Sequence, residues 1–227
     1  MDVDIGVLVG SWPEYSKFTA AMTGRGFERH PHKVHNFRSE KGVVIDVVPF
    51  GGLADAEGLI AWPPDDNPVM NVTGFDDALK HCLHMEIAAG QFVNVVSLPG
   101  LAVLKLLAWN DRRYDSAKDA QDLALFLRLY GEFAKDRLFD SEPGLMEHYE
   151  FDMEQAGAAL LGLDIGAMAS DVTMTHLLAI MCGKNDDQAL NEQLVRDVSR
   201  HLPGREYPNA ERMLQCVLAG IEFHQGK

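Results

Sequence analysis

The sequence predicts an α+β fold followed by an all-helical C-terminal region. Two β-branched runs lie near the N-terminus, at residues 2–9 and 43–50, and each carries aspartate. Strand-like runs stop near residue 136, and the apolar residues beyond it recur at helical spacing. These observations place a first domain at residues 1–138 and a helical domain at residues 139–227.

The first elements follow from local patterns. Asp2–Val9 is predicted as a strand, and Ser11 with Glu14 forms a capping-box start for the helix after it. Phe27–Arg38 alternates weakly and is predicted as a strand with a polar face. Val43–Phe50 is a nearly continuous apolar run, which is typical of a buried central strand.

The middle of the chain combines a loop with a hairpin. Gly51–Asn71 is rich in Gly, Pro and Asp and is predicted as a long loop, a type of segment that is often functional. Phe75–Leu79 is predicted as a helical turn. The runs His81–Ala88 and Phe92–Leu98 flank Ala89-Gly90, a spacing that predicts a β-hairpin.

Two helices follow the hairpin. Pro99 opens a helix over Leu101–Asn110, which is apolar nearly all round except at Lys105. A lone lysine in such a helix must bring its ammonium group to a polar site. A second helix is predicted over Ser116–Tyr130, with an apolar stripe at helical spacing.

Composition excludes several classes of protein. Hydrophobic residues make up 47% of the 227 residues, enough for a core and too many for a disordered chain. No apolar run reaches the roughly 18 residues of a transmembrane helix, so no membrane partner is expected, and no signal peptide is visible. The three cysteines are far apart in sequence, which favours a reducing, cytoplasmic location.

Charge also restricts the partners. The chain has 20 Lys and Arg against 34 Asp and Glu, and the net charge of −14 argues against broad binding of nucleic acid. One local exception is a run of basic side chains: Arg25, Arg29, His30, His32, Lys33, His35, Arg38 and Lys41. This run either contacts a phosphate or nucleic acid, or forms a solvated edge hairpin.

Carboxylates within the two β-branched runs are the main functional signal. Asp46 interrupts the central strand, and an unpaired buried carboxylate costs several kcal/mol. Asp2 and Asp4 lie two residues apart, so they point to one face of their strand. If the strands are neighbours, a divalent cation, Mg²⁺ or Mn²⁺, would relieve the repulsion among the three carboxylates. The alternative is that backbone N–H groups satisfy Asp46.

Three segments together carry a resemblance to a known family: DVDIGVLV, VVIDVVPFGG and SLPGLAVLKLLAWNDRRYDSAKDAQDL. Residues 2–130 resemble the polymerase-β-like nucleotidyltransferase superfamily, and within it the AbiEii-type proteins, some of which are toxins of toxin–antitoxin systems. The resemblance implies a mixed sheet with helices, and a metal held by three aspartates that act in catalysis: Asp2, Asp4 and Asp46. It also implies four nucleotide-binding residues: Lys105, Lys118, Asp119 and Asp122.

The four nucleotide-binding residues could instead serve the fold alone. Lys105 either contacts phosphate, reaches out to solvent or forms an ion pair with Asp46 or Asp119. Asp119 and Asp122 would also be favourable in the first turn of a helix without any ligand.

The activity implied by the resemblance is Mg²⁺-dependent transfer of a nucleotidyl group from a nucleoside triphosphate to an acceptor, with RNA as a candidate. An antitoxin protein or a second copy of the chain is a further expected partner. Family members carry a helix and a Gly-Ser turn before the D-x-D strand, whereas this sequence begins at that strand. We therefore expect a domain truncated at its N-terminus, with weakened activity. The alternative is a non-catalytic family member that acts through protein–protein contacts.

Overall fold

The computed structural model describes residues 2–182 and 190–225, with Asp2 and Gln225 described by their backbone alone. The chain divides into two compact units, Met1–Asp76 and Asp77–Lys227. The predicted combination of strands first and helices afterwards is confirmed, and the polymerase-β-like arrangement of the sheet stays a prediction. Among the described residues, no helix is both long and apolar enough to cross a bilayer.

The first unit is built on a four-stranded sheet with the strand order β1-β4-β3-β2. The strands are β1 (Asp2–Val9), β2 (Glu28–Arg29), β3 (Asn36–Arg38) and β4 (Val44–Gly51). β1 and β4 are parallel neighbours, whereas β3 runs antiparallel to both β4 and β2. The predicted strand over Phe27–Arg38 is therefore two short strands joined by a turn.

Helix α1 (Trp12–Thr23) connects β1 to β2 and covers one face of the sheet. Ser11 occupies the predicted N-cap position, but its side chain makes no capping bond; instead the Gly10 N–H donates to Glu14 at 2.7 Å. The Tyr15 hydroxyl donates to the Val47 carbonyl oxygen at 2.9 Å. Because that bond is buried, it fixes the helix against the central strand.

The segment predicted as a loop over residues 51–71 contains a second, two-stranded sheet. Its strands are β5 (Leu59–Ala61) and β6 (Val69–Asn71), paired antiparallel. Trp62 follows β5 and is 2% exposed, with ring contacts to Trp12, Tyr15 and His35. The loop prediction missed this hairpin because Pro and Gly in the segment mask two strands of only three residues each.

The second unit begins with a hairpin and continues as helices. The hairpin consists of β7 (Leu83–Ala88) and β8 (Gln91–Val95), as predicted, and follows the short α2 (Phe75–Lys80). The other helices are α3 (Leu98–Arg112), α4 (Lys118–Phe133), α5 (Pro143–His148), α6 (Met153–Met168), α7 (Asp171–Cys182), α8 (Glu192–Ser199) and α9 (Tyr207–Gln225). A π-helical turn at Arg137–Ser141 and a 3₁₀ turn at Pro203–Arg205 complete the unit.

One hydrophobic core joins the helices of the second unit. Fully buried side chains from α3, α6, α7, α8 and α9 meet there: Val103, Trp109, Ala156, Leu177, Leu194 and Met213. The predicted stripe of α4 is buried in this core, as its spacing indicates. The predicted domain boundary at residue 138 falls inside the unit, because α4 and α6 pack against each other across it.

Glycines allow the closest helix packing in this core. A Cβ at Gly131 of α4 would collide with the Met153 carbonyl oxygen at the start of α6. A Cβ at Gly220 of α9 would collide with the Ala159 carbonyl oxygen of α6. The backbones therefore approach to a distance that no larger residue permits at these two crossings.

Candidate functional site

A row of polar side chains crosses the sheet of the first unit at one level. Asp4 of β1 is the register partner of Asp46 of β4, and Asp46 is the register partner of Asn36 of β3. Partners in register point to the same face, and neighbouring strands lie about 4.8 Å apart. The predicted juxtaposition of the D-x-D strand with the strand of the third aspartate therefore occurs in the backbone.

The polar row lies on the face of the sheet opposite α1. Phe37 and Val47 are fully buried, and they flank Asn36 and Asp46 in sequence. Alternation of side chains along β3 and β4 turns Asn36 and Asp46 to the other face. This placement explains how a carboxylate is tolerated in the middle of a β-branched strand: 32% of its side chain remains exposed.

Asp46 is held by side chains from β3 and the turn before it. The Asn36 amide Nδ2 donates to Asp46 Oδ1 at 2.5 Å, and His35 Nε2 lies 4.0 Å from the same oxygen. Both contacts are on Oδ1, so the sheet fixes the rotation of the carboxyl group. Asp4 is exposed on the neighbouring strand.

The two described carboxylates of the polar row, Asp4 and Asp46, are oxygen ligands of the type that Mg²⁺ takes in proteins. Mg²⁺ is usually bound by one or two carboxylates together with substrate phosphates and water, and a carboxylate pair on adjacent strands matches that requirement. Within residues 2–182 and 190–225, no group of three or more acidic, histidine or cysteine side chains could hold a metal. The side chain of Asp2, the third predicted ligand, lies outside the described residues.

A second polar cluster lies between α3 and α4, and it contains three of the four predicted nucleotide-binding residues. Lys105 Nζ lies 2.5 Å from Asp122 Oδ2 and 3.5 Å from Asp119 Oδ1. The sequence left open an ion pair with Asp119, and the structure contains it together with a closer one to Asp122. Lys118 is exposed in the first turn of α4.

Asp119 is the most buried member of this cluster. Its side chain is 0% exposed and accepts two hydrogen bonds from Arg112, from Nε at 2.6 Å and from Nη2 at 2.8 Å. Burial raises the pKa of Asp119, but the hydrogen bonds and charges of Arg112 and Lys105 outweigh burial and hold the pKa below 3.8. The carboxylate is therefore ionised near neutral pH and holds two cations on the surface of the helix pair.

Sequence reasoning missed three important groups. Arg112 lies seven residues before Asp119 and belongs to an Arg-Arg pair that local pattern assigns only to a turn. Asn36 lies in the weakly alternating stretch, where its register against Asp46 could be found only by pairing the strands.

The third missed group is a cluster around Asp164 of α6, which accepts hydrogen bonds from the Tyr130 hydroxyl and from Arg137. The Arg137 bonds measure 2.7 and 2.9 Å. Burial, with Asp164 next to it, raises the pKa of Tyr130 well above its ordinary value. Tyr130 and Asp164 are 34 positions apart in the sequence, so no local pattern indicates this contact.

Known proteins offer no direct guide to either cluster. The chain matched no family model, no curated protein and no solved structure. The function must therefore be inferred from the two clusters and from the residues that build them.

Proposed function

We propose that the chain is a Mg²⁺-dependent nucleotidyltransferase of the polymerase-β-like type, acting on a nucleoside triphosphate and an acceptor such as RNA. The observation that supports this most is the parallel pairing of β1 with β4, which aligns Asp4 with Asp46 on an accessible sheet face. The resemblance of these strands to the AbiEii-type proteins supports the same chemistry.

The residues of the sheet would have distinct roles. Asp4 and Asp46 would hold the metal, with Asp2 as the third ligand that the resemblance implies. A bound Mg²⁺ neutralises the charge of the triphosphate and stabilises the charge that develops during transfer. Asn36 keeps Asp46 Oδ1 engaged, so Oδ2 is the oxygen left to bind the metal or to accept the proton of the attacking hydroxyl.

For the second unit taken by itself, we propose, as the resemblance implies, four nucleotide-binding residues: Lys105, Lys118, Asp119 and Asp122. Lys105 and Lys118 would supply positive charge for phosphate oxygens. Asp119, through Arg112 and Lys105, would keep the cationic groups in place.

Binding of Mg²⁺ with each of the four ribonucleoside triphosphates, measured by isothermal titration, tests the proposal. The wild type is expected to bind at least one triphosphate in the presence of the metal, and Asp46→Asn is expected to lose that binding. Asp65→Asn is the matched control, because Asp65 is an exposed aspartate of the same unit and the charge change is identical.

Thermal stability supplies a second readout of the same binding. A triphosphate at about 100 times its Kd should stabilise the folded wild type by about 2.7 kcal/mol. Folded wild type that binds none of the four triphosphates, or equal binding by Asp46→Asn and the wild type, would contradict the proposal.

A second candidate function is a non-catalytic role through protein–protein contacts, and one observation favours it. The hairpin β7–β8 exposes large apolar side chains on one face, including Met85 at 47%, Ile87 at 63% and Val95 at 38%. We propose a second copy of the chain as the occupant, because a two-fold dimer pairs one surface with the same surface of its partner and would cover both apolar faces at once.

Sedimentation equilibrium of the wild type and of Ile87→Lys distinguishes this second role. A dimer that dissociates in Ile87→Lys, together with absent triphosphate binding, would support the non-catalytic function. A monomer at high concentration would contradict this dimer.

A further inference from the structure

Positive charge in this acidic chain is concentrated in one short segment, residues 25–41, called here the basic hairpin. It carries five Lys and Arg, three His and only two Glu, whereas the whole chain has 34 acidic residues against 20 basic ones. The five cations are Arg25, Arg29, Lys33, Arg38 and Lys41. Such segregation creates a local positive potential on a protein whose overall field is negative.

The cations of the basic hairpin face solvent. All five are exposed, and none forms an ion pair with a carboxylate within the described residues. By contrast, four cations of the second unit, among them Arg112 and Arg137, are paired with aspartates. Five neighbouring cations without carboxylate partners repel one another, and a polyanion would relieve that repulsion.

The backbone of the basic hairpin is fixed by local bonds. β2 pairs with β3, and His30 Nδ1 accepts hydrogen bonds from the backbone N–H groups of His32 and Lys33 at 3.1 and 3.0 Å. The cations are thus presented from an ordered turn and two paired strands. A surface that is already ordered loses less entropy when it binds a ligand.

Rings lie among these cations. The Arg29 guanidinium lies 5.6 Å from the centre of the Phe37 ring, and the rings of His30 and His32 are 6.2 Å apart. A shallow cleft of about 200 Å³ opens beside Arg29, lined also by Ser16, Thr19 and Phe37. Phe37 is buried, so among these rings only those of His30 and His32 could stack on a base. Exposed cations beside such rings are typical of surfaces that follow a single nucleic-acid strand.

We propose that the basic hairpin binds a nucleic-acid strand through its phosphodiester backbone. A membrane surface is a poorer fit, because residues 25–41 expose no large apolar side chain that could enter a bilayer. The net charge of −14 does not oppose the proposal, since electrostatic interactions beyond about 10 Å are screened at 0.1 M salt.

A nucleic acid bound to the basic hairpin has a role in catalysis only if the proposed nucleotidyltransferase function is correct. β3 lies directly beside β4 in the sheet, so the basic hairpin and Asp46 belong to one continuous structure. A nucleic-acid strand held along β2 would lie about two strand spacings, roughly 10 Å, from Asp46 on β4. The hairpin would then bind the acceptor and Asp4 with Asp46 would hold the metal.

Fluorescence anisotropy with a labelled 20-nucleotide single-stranded RNA tests the binding without metal or nucleotide. The measurements are made in EDTA at several salt concentrations, so a failure of the catalytic proposal cannot affect them. The variant is the triple change Arg29→Gln, Lys33→Gln and Arg38→Gln. The matched control removes three exposed cations elsewhere, with Lys80→Gln, Lys135→Gln and Arg212→Gln.

The salt dependence gives the expected size of the effect. If all five cations contact phosphates, raising the salt from 50 to 200 mM should weaken wild-type binding by about 130-fold. With three of them neutralised, the same change should weaken binding by only about 7-fold. The control should keep the wild-type dependence. DNA of the same sequence should bind with similar affinity, because phosphate contacts carry no information about the base or sugar.

Three results would overturn the proposal. One is a wild type that does not bind the RNA at 50 mM salt. Another is an equal loss of affinity and of salt dependence in the hairpin variant and the control. The third is displacement of the RNA by vesicles of phosphatidylglycerol and phosphatidylcholine that bind the wild type more tightly, which would assign the surface to membranes. Circular dichroism of each variant establishes that it is folded, as expected for changes at exposed positions.

Discussion

Replacing Asp119 by asparagine should destabilise the second unit by about 2 kcal/mol. The change removes a charge that is 0% exposed and that accepts two hydrogen bonds from Arg112. A hydrogen bond to a charged group contributes about 1.5–3 kcal/mol. Two such bonds would sum to about 3–6 kcal/mol. Because the Arg112 side chain is 54% exposed, its guanidinium regains water in the variant, and we expect the loss to fall below that sum, at about 2 kcal/mol.

Asp122→Asn is the matched comparison for this prediction. Asp122 lies one helical turn further along α4 and contacts the same Lys105, but its side chain is 39% exposed. Partly exposed ion pairs contribute about 0–1 kcal/mol, and Lys105 retains Asp119 in this variant, so we expect about 0.5 kcal/mol. Urea unfolding followed by circular dichroism measures both. Equal destabilisation by the two variants would refute the argument from burial.

The pH dependence provides an independent check on Asp119. Its pKa in the folded chain lies below 3.8, so its contribution to stability is full above that pH. The contribution is lost as the pH falls through the folded-state pKa. Asp119→Asn should therefore lose less stability than the wild type as the pH falls below 3.8. Parallel curves for the two proteins would contradict the assignment.

Two further predictions concern packing and the tyrosines. Gly220→Ala should cost about 1–3 kcal/mol in urea unfolding, because its Cβ meets the Ala159 carbonyl oxygen, whereas Gly144→Ala, whose Cβ meets nothing within 4 Å, should be neutral or stabilising. Burial raises the pKa of Tyr15 to about 12 and that of Tyr149 to about 12, and burial beside Asp164 raises that of Tyr130 further. Phenolate absorbance at pH 11 should therefore be lower in the folded chain than in urea, and stability should fall as the pH rises from about 10 through 12; identical titrations would contradict this.

Much of the architecture could be predicted because it depends on local patterns. The β1 strand, the β7–β8 hairpin and the stripe of α4 each arise from periodicity or turn residues within about a dozen positions. The strand pair β5 and β6 escapes prediction, since three-residue strands carry too little pattern to be recognised among Pro and Gly. The predicted domain boundary rests on a change in local pattern, while the shared core of α4 and α6 depends on packing between distant segments.

In the candidate site, too, local patterns could predict which residues need a polar partner but not which residue that partner is. The position of Asp46 in a β-branched run predicts that its carboxylate has a polar partner. Its alignment with Asp4 was expected if the two strands were neighbours. The identity of the residue beside it, Asn36, depended on the antiparallel register of β3, which no local pattern specifies. Likewise, Lys105 had to reach a polar group, but the choice of Asp122 required the crossing of α3 and α4.

The alignment of Asp4, Asp46 and Asn36 across β1, β4 and β3 also affects the register in which the sheet forms. A slip of β4 by one residue against its neighbours would exchange its two faces. Asp46 would then be driven towards Tyr15 and Phe37 under α1, where an unpaired carboxylate costs several kcal/mol. A slip in either direction meets the same penalty. The Asp46 carboxylate thus favours the observed register of β4 during folding. It would do so even in a protein that never binds a ligand.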